Sequence, residues 1–167
     1  MKDNQPPQNI ESAGTPLQCR KSPTRRILVV EDDWDIRRLN TEVLAHSGYH
    51  VDAAEDGAAA WDTLQRNRYD LMVTDNDMPR VSGVELLHKL HAAHMALPVI
   101  MATGKLPEKE FAQCPWLQPA ALLIKPYSFH ELLGTVENVL RATDSPREQI
   151  AALPNWRSQP SAVGLRL

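Results

Sequence analysis

Five short apolar runs alternate with amphipathic segments through the middle of the chain. The runs cover residues 26–30, 49–54, 71–74, 98–102 and 120–124. Continuous aliphatic and β-branched stretches of this length are typical of strands buried on both faces of a parallel sheet. Five strand-then-helix units joined by right-handed crossovers form a doubly wound sheet. The expected fold class is therefore α/β, with a five-stranded parallel sheet flanked by helices.

The amphipathic segments between the runs predict the helices. Asp33 or Asp35 can cap the first helix, and Asp33 is favoured as a cap over a metal ligand. Gly48 is placed to end this helix. The fourth helix is expected to be short, because the surrounding prolines leave room for only about two turns, over residues 107–114. The apolar stripes of the first, third and last helices are Ile36, Leu39, Val43 and Leu44; Val84, Leu87, Leu90 and His91; and Leu132, Leu133, Val136, Val139 and Leu140.

Both ends of the chain lack apolar periodicity. Residues 1–24 contain four prolines among polar residues, which predicts a flexible N-terminal tail. Prolines at 146, 154 and 160 predict that residues 143–167 form a mostly irregular C-terminal tail without a long helix. A chain of 167 residues suits one domain, expected at residues 25–142, with no separate output domain in either tail.

Composition and charge exclude several classes of protein. With 43% hydrophobic residues and a formal net charge of -3, the chain gives no reason to expect attraction to nucleic acid or membranes. No stretch approaches the ~18 apolar residues of a spanning helix, and the first residues do not resemble a secretory signal. Cys19 and Cys114 lie far apart and are interpreted as ordinary thiols. A soluble, cytoplasmic protein is expected.

Charged and hydroxyl side chains follow the predicted strands. The first strand ends in Glu31 and Asp32, the third in Asp75, the fourth in Thr103 and the fifth in Lys125. In an open parallel sheet, ligands bind beyond the carboxyl ends of the strands. We therefore expect these side chains to meet at one edge of the sheet.

Several carboxylates at one edge need positive charge nearby. Two unit charges ~4 Å apart repel by about 4 kcal/mol at an effective dielectric of about 20. Lys125 supplies one positive charge, and Mg²⁺, which suits carboxylates together with phosphate oxygens, can neutralise the remainder. The helical spacing of His88, His91 and His94 could also suggest a metal, but partly solvated helix residues are the favoured interpretation.

Five separated motifs, in order, carry a resemblance to one family. They are residues 27–33 (ILVVEDD); Asp75 followed by Met78 and Pro79; Ser82 with Gly83; Thr103 with Gly104; and Lys125 with Pro126. Together they resemble the response-regulator receiver domain of two-component signalling, over about residues 25–141. The resemblance implies a flavodoxin-like sheet with strand order 2-1-3-4-5. A phosphorylation-dependent switch, not a metabolic enzyme, is the function it implies.

The resemblance also implies a phosphorylation site and a metal site. Asp75 corresponds to the phosphoacceptor, a carboxylate nucleophile. Asp32 corresponds to a direct ligand of Mg²⁺ or Mn²⁺, Glu31 to a ligand acting through water, and the backbone carbonyl of Asp77 completes the set with Asp75. The phosphoryl donor would be a sensor histidine kinase or a histidine phosphotransfer protein, with an unidentified protein downstream and a homodimer as a possibility.

Further roles follow from the same resemblance. Lys125 and Thr103 would bind phosphoryl oxygens during in-line transfer. Gly104 would leave space beside the phosphate, and Pro126 would follow a cis peptide bond. Pro79 and Gly83 would shape the loop after Asp75.

Two positions depart from the common receiver pattern. Receivers often carry Tyr or Phe three residues before the lysine, where this chain has Leu122, so the usual aromatic switch is expected to be absent or altered. Asp77 stands where a neutral residue is common, and Lys105 lies two residues after Thr103. We hypothesise that Asp77 and Lys105 flank the phosphate and tune its hydrolysis.

Two other functions stay open from the residues alone. Asp75 and Asp77 after a strand mimic the DxD motif of haloacid-dehalogenase-type aspartyl-phosphate phosphatases, although that family places the motif on an early strand. The other alternative is a receiver that is never phosphorylated and acts as a docking module.

Overall fold

A computed structural model of the protein describes the backbone of residues 24–151 and the side chains of residues 24–144. Five strands alternate with five helices. The strands are β1 (Arg26–Val30), β2 (His50–Ala54), β3 (Leu71–Asp75), β4 (Val99–Thr103) and β5 (Ala121–Ile124). The helices are α1 (Trp34–His46), α2 (Gly57–Arg66), α3 (Gly83–Ala92), α4 (Glu108–Gln113) and α5 (Phe129–Ala151). Each strand lies within one or two residues of its predicted run.

All five strands form one parallel sheet in the order β2-β1-β3-β4-β5, which confirms the predicted fold class and topology. The register aligns Asp75 with Ala102 and Thr103 with Ile124, so the carboxyl ends of β3, β4 and β5 lie side by side. The polar and charged side chains that follow these strands therefore lie together at one edge of the sheet.

The sheet has an apolar core on each face. The central strands β1, β3 and β4 are buried on both faces as predicted, whereas the edge strands β2 and β5 are partly exposed because each has a neighbouring strand on one side only. One core includes Leu28, Met72 and Met101 and is closed by side chains of α2 and α3. The other includes Ile27, Val73 and Ile100 and is closed by side chains of α1 and α5. Alternate residues of one strand therefore support opposite layers of helices.

Asp33 and Gly48 define the two ends of α1. Asp33 Oδ1 accepts hydrogen bonds from the backbone N–H groups of Asp35 (2.9 Å) and Ile36 (3.0 Å), so Asp33 is the N-cap. Gly48 follows the helix with a φ of 92°, the left-handed conformation that favours glycine. Both features agree with the sequence.

The short fourth helix leaves part of the sheet edge uncovered. α4 has six residues, as the prolines predicted. Leu122 and Ile124 share one face of β5, and both are exposed although they are large and apolar. Leu122 therefore lies at the surface, and no aromatic side chain occupies its position.

The last helix is longer than the sequence predicted. The expectation that no long helix passes residue 142 is wrong, because α5 continues to Ala151 and includes Pro146. A proline removes one helical hydrogen bond and can kink a helix without ending it. Asp144 pairs with Arg25 next to β1, which ties this part of α5 to the sheet. Residues 1–23 and 152–167, which make up most of the two predicted tails, lie outside the described residues, and the boundaries of the predicted domain stay a prediction.

Candidate functional site

The loop after β1 holds two carboxylates at the edge of the sheet. Glu31 is only 2% exposed, whereas Asp32 is exposed. The Arg37 guanidinium donates hydrogen bonds to the backbone carbonyls of Glu31 (2.5 Å) and Asp32 (3.1 Å). Arg37 was not singled out in the sequence, although its place one turn into α1 lets its side chain reach back to this loop. The first helix therefore helps to fix the loop that carries the carboxylates.

Asp75 ends β3 and points into the same site. Its side chain is buried, and its Oδ1 accepts hydrogen bonds from the backbone N–H groups of Asn76 (2.6 Å) and Asp77 (3.3 Å). Gly83 allows the start of α3 to approach, because a Cβ at this position would lie 2.4 Å from the carbonyl oxygen of Asp75. Asp75 is held by backbone contacts on one side while its Oδ2 faces Lys125.

Lys125 joins the two buried carboxylates. Its Nζ lies 2.8 Å from Glu31 Oε2 and 2.8 Å from Asp75 Oδ2. Burial lowers the pKa of Lys125, but the hydrogen bonds with Asp75 and Glu31 outweigh it and raise the pKa above its usual value. Burial raises the pKa of Glu31, and the contact with Lys125 only partly offsets this. The bond between Lys125 and Pro126 is cis, as the resemblance implied.

Glu31, Asp32 and Asp75 form an oxygen-rich cluster suited to a hard cation. One carboxylate oxygen from each lies within 4.8 Å of the others. Among the described residues this is the one group of three or more acidic, histidine or cysteine side chains with such spacing, so His88, His91 and His94 form no comparable group. Lys125 contacts two of these three carboxylates, and the remaining negative charge fits a divalent cation with oxygen ligands. The donor set therefore fits Mg²⁺ or Mn²⁺.

The hydroxyl of Thr103 is engaged within its own loop. Its Oγ1 donates to the carbonyl of Lys105 (2.7 Å) and accepts the backbone N–H of Lys105 (3.2 Å). The backbone of Thr103 is next to Lys125, whose N–H donates to the Thr103 carbonyl at 2.9 Å. Gly104 leaves open space, since a Cβ added there would meet no atom within 4 Å. The structure thus places Thr103 at the site with its hydroxyl directed to Lys105.

Exposed apolar side chains surround the site on the α1 side. A groove of about 450 Å³ separates α1 from the segment that follows β5. Trp34 (59%), Leu39 (46%) and Phe129 (47%) are all strongly exposed, and two of them line this groove. We call it the rim groove; its lining is Ile36, Leu39, Asn40, Lys125, Pro126, Tyr127 and Phe129.

The geometry matches a known family along most of the described chain. The sequence model of the response regulator receiver domain matches residues 27–137. The chain belongs to the response regulator receiver family. Receiver domains of two-component systems take phosphoryl groups from histidine kinases and bind Mg²⁺ through an acidic cluster of the kind formed by Glu31, Asp32 and Asp75.

Individual receiver proteins show how far the similarity extends. The response regulator receiver protein CpdR of Brucella abortus is 32% identical over 118 residues, which cover 71% of this chain and 98% of CpdR. The response regulator MprA of a Mycobacterium species is 37% identical over 125 residues, but these cover only 53% of MprA. The chain therefore spans nearly all of one receiver relative and about half of another.

A solved structure supports the same assignment. The response regulator TrrA of Thermotoga maritima, determined in complex with Mg²⁺ and BeF, is 30% identical, with a TM-score of 0.61. The match covers 70% of this chain and 99% of TrrA. In the described part of this receiver, no helix is both long and apolar enough to cross a membrane.

Proposed function

We propose that this receiver accepts a phosphoryl group on Asp75 in a Mg²⁺-dependent reaction and changes its binding to a partner protein as a result. The observation that carries the proposal is the bridge of Lys125 between Asp75 and Glu31, at 2.8 Å to each, beside the exposed Asp32. It combines a carboxylate nucleophile, a fixed positive charge and a set of oxygen ligands in one place.

The transfer follows from the chemistry of these groups. A carboxylate oxygen of Asp75 attacks phosphorus, the bond to the donor atom breaks, and the donor leaves with the electron pair. Asp32, Asp75 and the Asp77 carbonyl would hold Mg²⁺ directly and Glu31 would hold it through water, and the ion would neutralise charge on the phosphoryl oxygens. Lys125 would exchange its contact with a carboxylate for a phosphoryl oxygen. The Thr103 hydroxyl would likewise donate to a phosphoryl oxygen after it gives up its hydrogen bond to the Lys105 carbonyl.

A protein donor that carries a phosphohistidine, as used by receiver domains, is expected to dock on the rim of this site. Asp75 is only 6% exposed, so a donor must contact the rim of the site to bring its phosphorus within reach. The rim groove supplies an apolar contact surface next to Lys125. A sensor histidine kinase or a histidine phosphotransfer protein is the expected partner at this surface.

The switch itself is expected to be a shift between two loop arrangements. In the described structure Thr103 donates to Lys105, whereas a phosphoryl group on Asp75 would compete for that hydroxyl. A ligand that binds one arrangement better than the other shifts their populations. Because Leu122 lies exposed on β5, we propose that this shift reaches the surface through the β4–α4 loop and without an aromatic switch residue.

Intact-mass analysis of the wild-type chain tests the proposed function. We expect incubation with acetyl phosphate and Mg²⁺ to add one phosphoryl group per chain, and omission of Mg²⁺ to prevent the addition. Sustained turnover of p-nitrophenyl phosphate without a stable gain in mass would favour the phosphatase alternative. Absence of any gain under all conditions would favour an unphosphorylated docking module.

Asp77 and Lys105 supply a second test of the site. Both are exposed, and both line a groove of about 720 Å³ beside Asn76 and Gly104. A carboxylate there can orient the water that hydrolyses the acyl phosphate, and an ammonium group can stabilise the developing charge. We expect Asp77→Asn and Lys105→Ala to lengthen the acyl-phosphate lifetime on the order of threefold or more. Unchanged lifetimes in both variants, measured by mass spectrometry after donor removal, would contradict the hypothesis.

A further inference from the structure

The buried face of α1 contains one amide side chain in contact with the segment after β5. Asn40 is 3% exposed and lies one helical turn from Ile36 and from the fully buried Leu44. Its Nδ2 donates a hydrogen bond of 2.9 Å to the Tyr127 hydroxyl oxygen. Burying an amide costs free energy unless it finds a partner, and Tyr127 provides one.

This hydrogen bond joins two of the three segments that carry the charges of the site; the third, β3, carries Asp75. α1 begins two residues after Asp32, and Tyr127 stands two residues after Lys125. The bond and the Lys125 side chain both border the rim groove. The relative position of Asn40 and Tyr127 therefore bears directly on the distance between the Lys125 ammonium and the carboxylates.

The environment of Tyr127 keeps the bond in place. Its ring packs against the core between the sheet and the layer of α1 and α5. Burial raises the pKa of Tyr127, and the hydrogen bond from Asn40 and the charge of Lys125 offset this only in part. The phenol is neutral at physiological pH, and its oxygen accepts the amide N–H.

We propose that Asn40 and Tyr127 are positioning residues that fix the Lys125 segment against α1, so that the Lys125 ammonium reaches Asp75 and Glu31. The proposal rests on the proposed function, because it assigns the two residues an effect that acts through Lys125. Packing alone does not explain why an amide and a phenol are paired here. An apolar side chain against a phenylalanine ring would fill a similar volume and would bury no amide. A shared polar bond, by contrast, specifies one relative placement of the two segments.

Tyr127→Phe tests the proposal because it removes the hydroxyl and keeps the ring. We expect phosphorylation by acetyl phosphate to become about threefold to tenfold slower at saturating Mg²⁺. The Mg²⁺ concentration at half-maximal rate should stay unchanged, because the carboxylate cluster is intact. Rates are measured by intact-mass analysis over a series of Mg²⁺ concentrations.

Tyr69→Phe is the matched control. The Tyr69 hydroxyl donates a hydrogen bond of 2.7 Å to Asp52, and Tyr69 precedes β3 at the end of the sheet opposite Asp75. This variant also loses one phenol hydrogen bond, so its thermal unfolding midpoint should fall as in Tyr127→Phe. Its phosphorylation rate should equal that of the wild type.

The double variant Asn40→Leu with Tyr127→Phe separates positioning from stability. We expect it to recover the unfolding midpoint lost in Tyr127→Phe, because no amide is left buried without a partner, and to remain slow in phosphorylation. A wild-type rate in Tyr127→Phe or in the double variant overturns the inference alone. A wild type that takes up no phosphoryl group overturns the proposed function together with it.

Discussion

Asp75→Asn protein is expected to gain no phosphoryl group from acetyl phosphate and Mg²⁺ under conditions where the wild type gains one. Asparagine keeps the volume of the side chain, and its oxygen can still accept the backbone N–H groups of Asn76 and Asp77. An amide is not a nucleophile toward phosphorus and leaves no acyl phosphate. The expected change is therefore complete loss of uptake with the fold retained, measured by intact mass.

Asp62→Asn is the control for loss of a carboxylate. Asp62 is exposed on α2 and is not part of the acidic cluster. This variant should gain one phosphoryl group at the wild-type rate. Equal uptake by Asp75→Asn and wild type would place the acceptor on another residue, which fragmentation of the phosphorylated chain would locate.

Lys125→Met is expected to lower both the stability of the fold and the rate of phosphorylation. Methionine retains much of the apolar stem but leaves the carboxylates of Glu31 and Asp75 without their ammonium partner. Removing one partner of a buried ion pair costs about 3–5 kcal/mol, and the lower end applies because Lys125 keeps 22% of its side chain exposed. Loss of a group that stabilises the transferred phosphoryl oxygens should slow phosphorylation on the order of 100-fold. Urea unfolding and timed mass analysis measure the two effects.

The loss in free energy of unfolding that Lys125→Met causes relative to the wild type, called the deficit below, should depend on pH and Mg²⁺. Burial raises the pKa of Glu31 in the folded chain, so its contribution to stability is present below the unfolded pKa and is lost as the pH rises through the folded pKa. Without Lys125 that pKa rises further, and acidification from neutral pH should shrink the deficit. Mg²⁺ should shrink it at neutral pH by supplying positive charge.

Wild-type protein and Lys89→Met complete this comparison. The raised pKa of Lys125 means that its contribution in the wild type persists at neutral pH and is lost only as the pH rises through a value above 10.5. Lys89 is exposed on α3, where its Nζ lies 5.4 Å from the centre of the Trp61 ring. Lys89→Met should show neither the Mg²⁺-dependent recovery nor slow phosphorylation. An equal deficit for Lys125→Met at acidic and neutral pH would contradict the assigned charge balance.

The fold class and the edge of the sheet that holds the candidate site could be predicted from the sequence alone. Strands buried on both faces require continuous apolar runs, and such runs are visible without knowledge of their partners. The carboxyl ends of parallel strands meet at one edge, so local order along the chain was enough to group Asp32, Asp75 and Lys125. The cap at Asp33 and the short α4 were equally local, because each depends on neighbouring residues and prolines.

Contacts between side chains of distant segments could not be predicted from the sequence and were found in the folded structure. Asn40 was not singled out in the sequence, although it lies one helical turn from Ile36 and Leu44 on the apolar face of α1; periodicity identifies that face and not the partner. Its partner, Tyr127, is 87 residues away. The contact between Arg25 and Asp144, 119 residues apart, is a similar case. Asp144 lies in the part of α5 that the prolines predicted would not be helical. Such pairs depend on how whole layers pack, which a pattern along one chain does not encode.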